Sequence, residues 1–131
     1  MAYNFLVVDD SPIIRSVVSK CLAMSGLEIG SIFEAANGRV ALDMLDDNWI
    51  DVVFADLNMP EMDGREMIQE MADNKMIDNI PVVVISSERN EDVLNWLNSL
   101  GVSDFISKPF KPEKMKSVVD KLLGNEEINH G

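Results

Sequence analysis

Five short, mostly apolar runs recur along the chain with their ends at residues 8, 35, 55, 85 and 107. They are residues 5–8 (FLVV), 29–35 (IGSIFEA), 52–55 (VVFA), 82–85 (VVVI) and 105–107 (FIS). Four of them are nearly continuous in Val, Ile and Phe rather than alternating, the pattern of strands covered on both faces. The run 29–35 is more broken and is placed toward a sheet edge. Successive ends lie at least 20 residues apart, which is room for a crossover helix and too much for a tight hairpin. The intervals carry helical patterns at Pro12–Met24, Gly38–Asp47, 64–74, Glu91–Leu100 and Pro112–Leu123. Ser11 before Pro12 reads as an N-cap followed by a proline at the first helical position. Gly26, Gly101 and Gly124 stand where helix stops are expected. On the second helix Val40, Ala41, Met44 and Leu45 are assigned to the inner face, on the third Met67, Ile68 and Met71, and on the fourth Val93, Leu94, Leu97 and Leu100. Strand–helix alternation, five times over, predicts a parallel α/β sheet with helices on both faces and right-handed crossovers.

A chain of 131 residues with 47% hydrophobic side chains is enough for one domain with a real core. No linker or repeat divides it, so residues 1–124 are read as one domain and 125–131 as a frayed tail. With 11 basic and 23 acidic side chains the net charge is −12, which argues against binding nucleic acid. No apolar run approaches the ~18 residues of a membrane span, and Asp9 and Asp10 interrupt any signal-peptide core. A single cysteine, Cys21, excludes an internal disulfide framework and fits a reducing cytoplasm, with an inert buried thiol as its default. The charge is uneven: residues 108–131 hold 5 basic and 4 acidic groups, against 6 and 19 in the rest. That is either a solvated last helix or a face that does not repel an acidic partner.

The functional crevice of an open parallel sheet lies beyond the carboxyl ends of its strands. There the chain places Asp9 and Asp10, then Asp56, then Ser86 and Ser87, then Lys108. Three carboxylates in one place repel, and at least one pKa should rise unless a cation neutralises them. Mg²⁺ accepts few carboxylates, keeps waters and completes its octahedron with phosphate oxygens. Mg²⁺, a lysine and a hydroxyl are what a transferring phosphoryl group needs around its oxygens. One carboxylate can then be a nucleophile that forms an aspartyl phosphate. Asp56 is the candidate, alone on the central strand between the acidic pair and Ser86.

Four segments carry a resemblance: VDDS (8–11), DLNMPEMDG (56–64), ISS (85–87) and FISKPF (105–110). Together they resemble the receiver domain of two-component response regulators, most closely the single-domain chemotaxis type, from Phe5 to about Leu123. The resemblance implies a flavodoxin-like, doubly wound sheet of five parallel strands in the order 2-1-3-4-5 with five helices. It implies that Asp56 accepts a phosphoryl group from a histidine kinase. Asp10 and Asp56 would ligate Mg²⁺ directly, Asp9 directly or through water, and Asn58 through its backbone carbonyl. Lys108 would pair with phosphoryl oxygens, ahead of an often-cis bond to Pro109. Ser86 and Phe105 occupy the switch positions, whose joint movement repacks the face of the fourth helix, fifth strand and fifth helix toward an output protein. Trp96, Lys111 and Lys114 are assigned to that partner face. Asn58 and Glu88, two residues after Asp56 and Ser86, occupy positions that help set how fast the phosphoryl group hydrolyses. Phe105 departs from the frequent Tyr and lacks its hydroxyl.

Each residue also has a plainer role: helix-capping acids for Asp9 and Asp10, a turn residue for Asp56, a cap of the fourth helix for Ser86, a surface amine for Lys108, a buried ring for Phe105. Met67 and Met71 are read as core, and His130 as unplaced for phosphotransfer. The expected function is a monomeric, cytoplasmic, phosphorylatable switch, able to dimerise on phosphorylation, whose output is binding to another protein such as a flagellar motor component. A phosphate sink without its own output is indistinguishable at this level. An Asp-nucleophile phosphatase would carry a second Asp where Asn58 stands. An FMN carrier would need a Ser/Thr/Gly-rich loop where Asp9 and Asp10 stand.

Overall fold

The computed structural model describes residues 2–57, 59 and 62–123. Five strands, β1 (Tyr3–Val8), β2 (Ile29–Ala35), β3 (Val52–Ala55), β4 (Val82–Ser86) and β5 (Asp104–Ser107), alternate with five helices, α1 (Pro12–Met24), α2 (Gly38–Asp47), α3 (Gly64–Asp73), α4 (Glu91–Leu100) and α5 (Pro112–Leu123). All pairings are parallel, in the order β2-β1-β3-β4-β5. The broken run, β2, is therefore an edge strand, as its composition indicated. A 3₁₀ turn at Met76–Asp78 follows Lys75, whose φ is 61°; no apolar period announced it.

The sheet divides the core in two. Phe5, Val7, Val52, Phe54, Val83 and Ile85 face α1 and α5, whose Val18, Leu22, Met115, Val118 and Val119 cover them. Leu6, Val8, Val53, Ala55, Val82 and Val84 face the opposite way onto Ala41, Leu45, Met67, Ile68, Met71 and Leu97 of α2, α3 and α4. Alternate residues of one strand point to opposite faces, so the continuous apolar runs feed both layers. Met67 and Met71 are fully buried.

Two inner-face assignments are corrected. On α2 the buried stripe is Gly38, Ala41, Leu42 and Leu45, spaced i, i+3, i+4, i+7, which turns Val40 outward at 37% exposure. On α4 Leu97 is fully buried, and Val93 and Leu100 are half-buried but packed against the core as assigned; Leu94 is half-buried without joining that cluster. Cys21 is half-buried rather than buried, and burial, with some help from Glu113, raises its pKa.

Helix starts follow the local chemistry. The Ser11 hydroxyl accepts the Ile14 N–H, Asn37 caps α2, Asp63 caps α3 and Asn90 caps α4. Ser86 is thus not a cap of α4. Gly26 and Gly101 have φ of 87° and 108°, the left-handed geometry that favours glycine at a helix end. None of the described helices is long and apolar enough to cross a membrane. Asn58, Gly124 and the tail 125–131 lie outside the described residues.

Candidate functional site

Strand register brings the site together. Val8 pairs with Ala35 on one side and Ala55 on the other, Ala55 pairs with Val84, and Ser86 with Ser107. The residues that follow therefore emerge at one edge. The backbone continues the ladder past the strands: the Asp9 N–H donates to Ala35 O at 3.0 Å, Asp56 N–H to Val8 O at 2.9 Å, and Lys108 N–H to Ser86 O at 3.2 Å. The Lys108–Pro109 bond is cis. Asp9, Asp10 and Asp56 each offer a carboxylate oxygen within 4.8 Å of the others. Lys108 Nζ lies 3.9 Å from Asp56 Oδ1 and 4.0 Å from Asp9 Oδ2.

Asp9 is buried, Asp10 exposed and Asp56 half-buried. Burial raises the Asp9 pKa above the ordinary carboxylate value, and the nearby charges of Asp56 and Asp10 add to that; the Ser11 N–H, donated to Asp9 Oδ1 at 2.9 Å, and the Lys108 ammonium oppose it. Loss of hydration is the main cause, and the predicted repulsion between carboxylates adds to it on the most buried of the three. The donor set is all oxygen and open on one side, which fits a small hard cation that keeps water ligands and does not fit a soft metal. Receiver domains as a class bind Mg²⁺ at such an acidic pocket, and the Asp cluster here supplies one.

Beside the carboxylates lies an open cleft of about 390 Å³ lined by Asp56, Ser86, Ser87, Glu88 and Lys108. The Ser86 hydroxyl accepts the Glu88 N–H at 3.0 Å. A second cavity of about 190 Å³ runs behind it, lined by Ser86, Glu88, Arg89, Leu94, Phe105 and Ile106 among others. Phe105 is half-buried against the core, so the ring borders free space on the Ser86 side.

The assigned partner residues are all exposed. Lys111 and Lys114 are exposed around the start of α5. Trp96, 39% exposed, lines a groove with Met62, Arg65, Glu66, Gln69, Glu70 and Asp73, on the α3 side of α4.

Two arginines near the site escaped sequence reading. Arg15 Nη1 donates to Asp9 O at 2.6 Å and its Nε to Glu34 Oε1 at 2.9 Å, which fixes the backbone of the acidic pair. Arg65 Nη2 donates to Glu88 Oε1 at 3.3 Å. The Arg15–Glu34 and Arg65–Glu88 contacts join residues 19 and 23 positions apart, and no local motif marks them.

A doubly wound 2-1-3-4-5 sheet with an acidic pocket and a lysine at its carboxyl edge defines a flavodoxin-like α/β module. Comparison with known proteins narrows that class. Residues 5–120 match the response regulator receiver domain, and the chain belongs to that family. It is 32% identical over 122 residues to a chemotaxis protein CheY homolog of Campylobacter jejuni, covering 92% of each chain. It is 40% identical over 130 residues to a protein-glutamate methylesterase/protein-glutamine glutaminase of Treponema denticola, covering 96% of this chain and 34% of that protein. The structure of the chemotaxis protein CheY4 of Vibrio cholerae superposes with a TM-score of 0.81 at 29% identity, covering 93% of this chain and 99% of that one. CheY-like receiver domains are signalling modules of two-component systems rather than conventional enzymes, and in general they work with histidine kinases and output proteins.

Proposed function

We propose that the chain is a response-regulator receiver of the chemotaxis type that accepts a phosphoryl group on Asp56 and passes the change to a protein partner. The observation that carries this reading is the placement of Lys108 Nζ 3.9 Å from Asp56 Oδ1, in a cleft where three carboxylates lie within 4.8 Å. Asp56 is half-buried and reachable from that cleft. One of its oxygens attacks the phosphorus of a phosphohistidine on the kinase; the O–P bond forms, the N–P bond breaks, and the departing imidazole takes up a proton. Lys108 pairs with the charged phosphoryl oxygens as the group passes to Asp56. Asp9, Asp10, Asp56 and the backbone carbonyl of Asn58 are the groups that would hold Mg²⁺. When bound, the ion neutralises the carboxylates and the equatorial oxygens of the transferring group.

Ser86 and Phe105 carry the signal outward. The hydroxyl exchanges its bond from the Glu88 N–H for one to the phosphoryl group, and the Phe105 ring turns into the cavity left beside it. That rearranges the surface of α4, β5 and the start of α5, where Lys111 and Lys114 are exposed. Neither movement needs the phenol oxygen that Phe105 lacks.

Intact mass after incubation with Mg²⁺ and acetyl phosphate tests the reading. A gain of one phosphoryl group in the wild type, absent from Asp56→Asn and absent without Mg²⁺, is the expected result. A folded wild type that gains no mass and shows no change in Trp fluorescence with beryllofluoride would overturn it.

A further inference from the structure

Glu88 is held from three sides. Its Oε2 accepts the N–H groups of Arg89 at 3.2 Å and Asn90 at 3.0 Å. Its Oε1 accepts Arg65 Nη2 at 3.3 Å. Arg65 is the second residue of α3, and its Nη1 lies 3.9 Å from Oδ2 of Asp63, the cap of that helix. The loop between β4 and α4 is therefore tied across the mouth of the cleft to α3. Glu88 lines that cleft with Asp56, Ser86, Ser87 and Lys108.

The charges around the mouth give this contact a consequence. Asp9, Asp10, Asp56 and Glu88 are acidic, and Lys108 is the one cation among the cleft's described lining residues. Every donor of a phosphoryl group is an anion. Arg65 and Glu88 have side chains 30% and 23% exposed, and an ion pair so open to water adds little to stability. Its neutralisation of a carboxylate at the entrance acts instead on the arrival of anions, which depends on the summed field of the cleft.

We propose that Arg65 is a positioning residue that draws the Glu88 carboxylate against α3 and cancels its charge, keeping the phosphorylation cleft open to anionic phosphodonors. This rests on Asp56 being the phosphoacceptor. Without Arg65, Glu88 keeps only the Arg89 and Asn90 N–H groups, and its negative charge at the entrance is no longer cancelled by a cation. Arg39, which lies 3.9 Å from Glu70 on the exposed side of α3, carries the same charge away from the cleft and serves as the control.

The test is the initial rate of Asp56 adduct formation, read by intact mass on the full chain with saturating Mg²⁺ and limiting acetyl phosphate. Arg65→Ala is expected to be about three- to ten-fold slower at low ionic strength, with the gap closing at about 0.5 M salt. Arg65→Lys recovers more than half of the loss. The double variant Arg65→Ala/Glu88→Gln, which removes one charge of each sign, returns to within about two-fold of wild type. Arg39→Ala stays within about two-fold of wild type. A wild-type rate in Arg65→Ala, an equal loss in Arg39→Ala, a double variant as slow as Arg65→Ala, or a loss indifferent to salt would each overturn the role of the pair while leaving the phosphoacceptor intact. A wild type with no adduct would overturn both. Glu88→Gln alone, which leaves α3 untouched, is expected to react at least as fast as wild type, and a slower rate counts against the proposal.

Discussion

Gly64 tests how tightly the segment carrying Asp56 is built. It opens α3 with its N–H donated to Leu57 O at 2.9 Å. A methyl added there would run into the Asp56 carbonyl oxygen and lie 2.9 Å from Leu57 Cα and 3.0 Å from the Asp56 carbonyl carbon. Carbon–carbon contacts normally sit at about 3.5–4.0 Å, so Gly64→Ala demands a backbone displacement of about 0.5–1 Å. The obstructing atoms are main chain and Leu57 is fully buried, so no side chain can swing aside. Overpacking a rigid site costs about 1–3 kcal/mol, and this position belongs at the upper end. Replacing glycine by alanine returns about 0.4–1 kcal/mol by restricting the unfolded chain. The net loss is about 2 kcal/mol, a fall in Tm of roughly 6–10 °C for a domain of this size. The same displacement moves Asp56 against Lys108, and a misplacement of about 1 Å at a reacting group can cost about 10²-fold in rate. Thermal unfolding followed by circular dichroism reads the first effect and adduct formation with acetyl phosphate the second. A Tm within about 2 °C of wild type together with an unchanged adduct rate would refute the claim that Gly64 is required by close approach to the phosphoacceptor backbone.

Asp9→Asn follows from the raised pKa of Asp9. A carboxyl whose pKa is higher folded than unfolded costs stability as pH rises from 3.8 through the folded value, so the penalty is absent in acid and grows with pH. The variant is expected to melt higher than wild type at pH 7 without Mg²⁺, to lose that advantage below pH 3.8, and to gain less than wild type from added Mg²⁺; a lower Tm at pH 7 in chelator would contradict the assignment. Lys108→Ala is expected to slow adduct formation by about 10²–10³-fold without weakening Mg²⁺ binding by calorimetry, since removing an ammonium cannot cost a site its affinity for a cation; weaker binding would show that Lys108 orders the carboxylates instead. Asn90→Ala removes the side chain that accepts the Asp92 N–H at 2.8 Å and the Val93 N–H at 3.4 Å. The loss is about 1 kcal/mol, visible as a Tm lower by about 3–5 °C, and an unchanged Tm would place the stability of α4 in its contacts with α3.

What the sequence discloses about this molecule depends on how far a residue must reach to meet its partner. Caps are the shortest reach: Ser11, Pro12 and Gly101 sit within one turn of the groups they satisfy, and all three are where the sequence put them. Strands come next. The three central runs, β1, β3 and β4, are legible because both faces are covered, while β5, read the same way, is an edge strand with only Ile106 buried; strand ends shift where polar or half-buried residues extend the pairing, as at Tyr3, Asn4 and Asp104. The carboxylates, Ser86 and Lys108 inherit that legibility, because parallel register places every residue that follows a strand at the same edge. The helix faces are less readable. A stripe such as Gly38, Ala41, Leu42, Leu45 includes a glycine that no hydrophobic period would select, and the outward turn of Val40 follows from it. Least readable are the side chains that reach from a helix to a loop. Glu88 is marked by its distance from Ser86, but nothing near Arg65 in the chain says that the two meet, or that Trp96 turns to the α3 side. The groups at the strand ends therefore come from topology, and the charges that govern their access come from contacts only the folded structure reveals. Receivers with the same strand-end residues can accordingly differ in how readily an anion enters, and the difference resides in pairs such as Arg65 and Glu88.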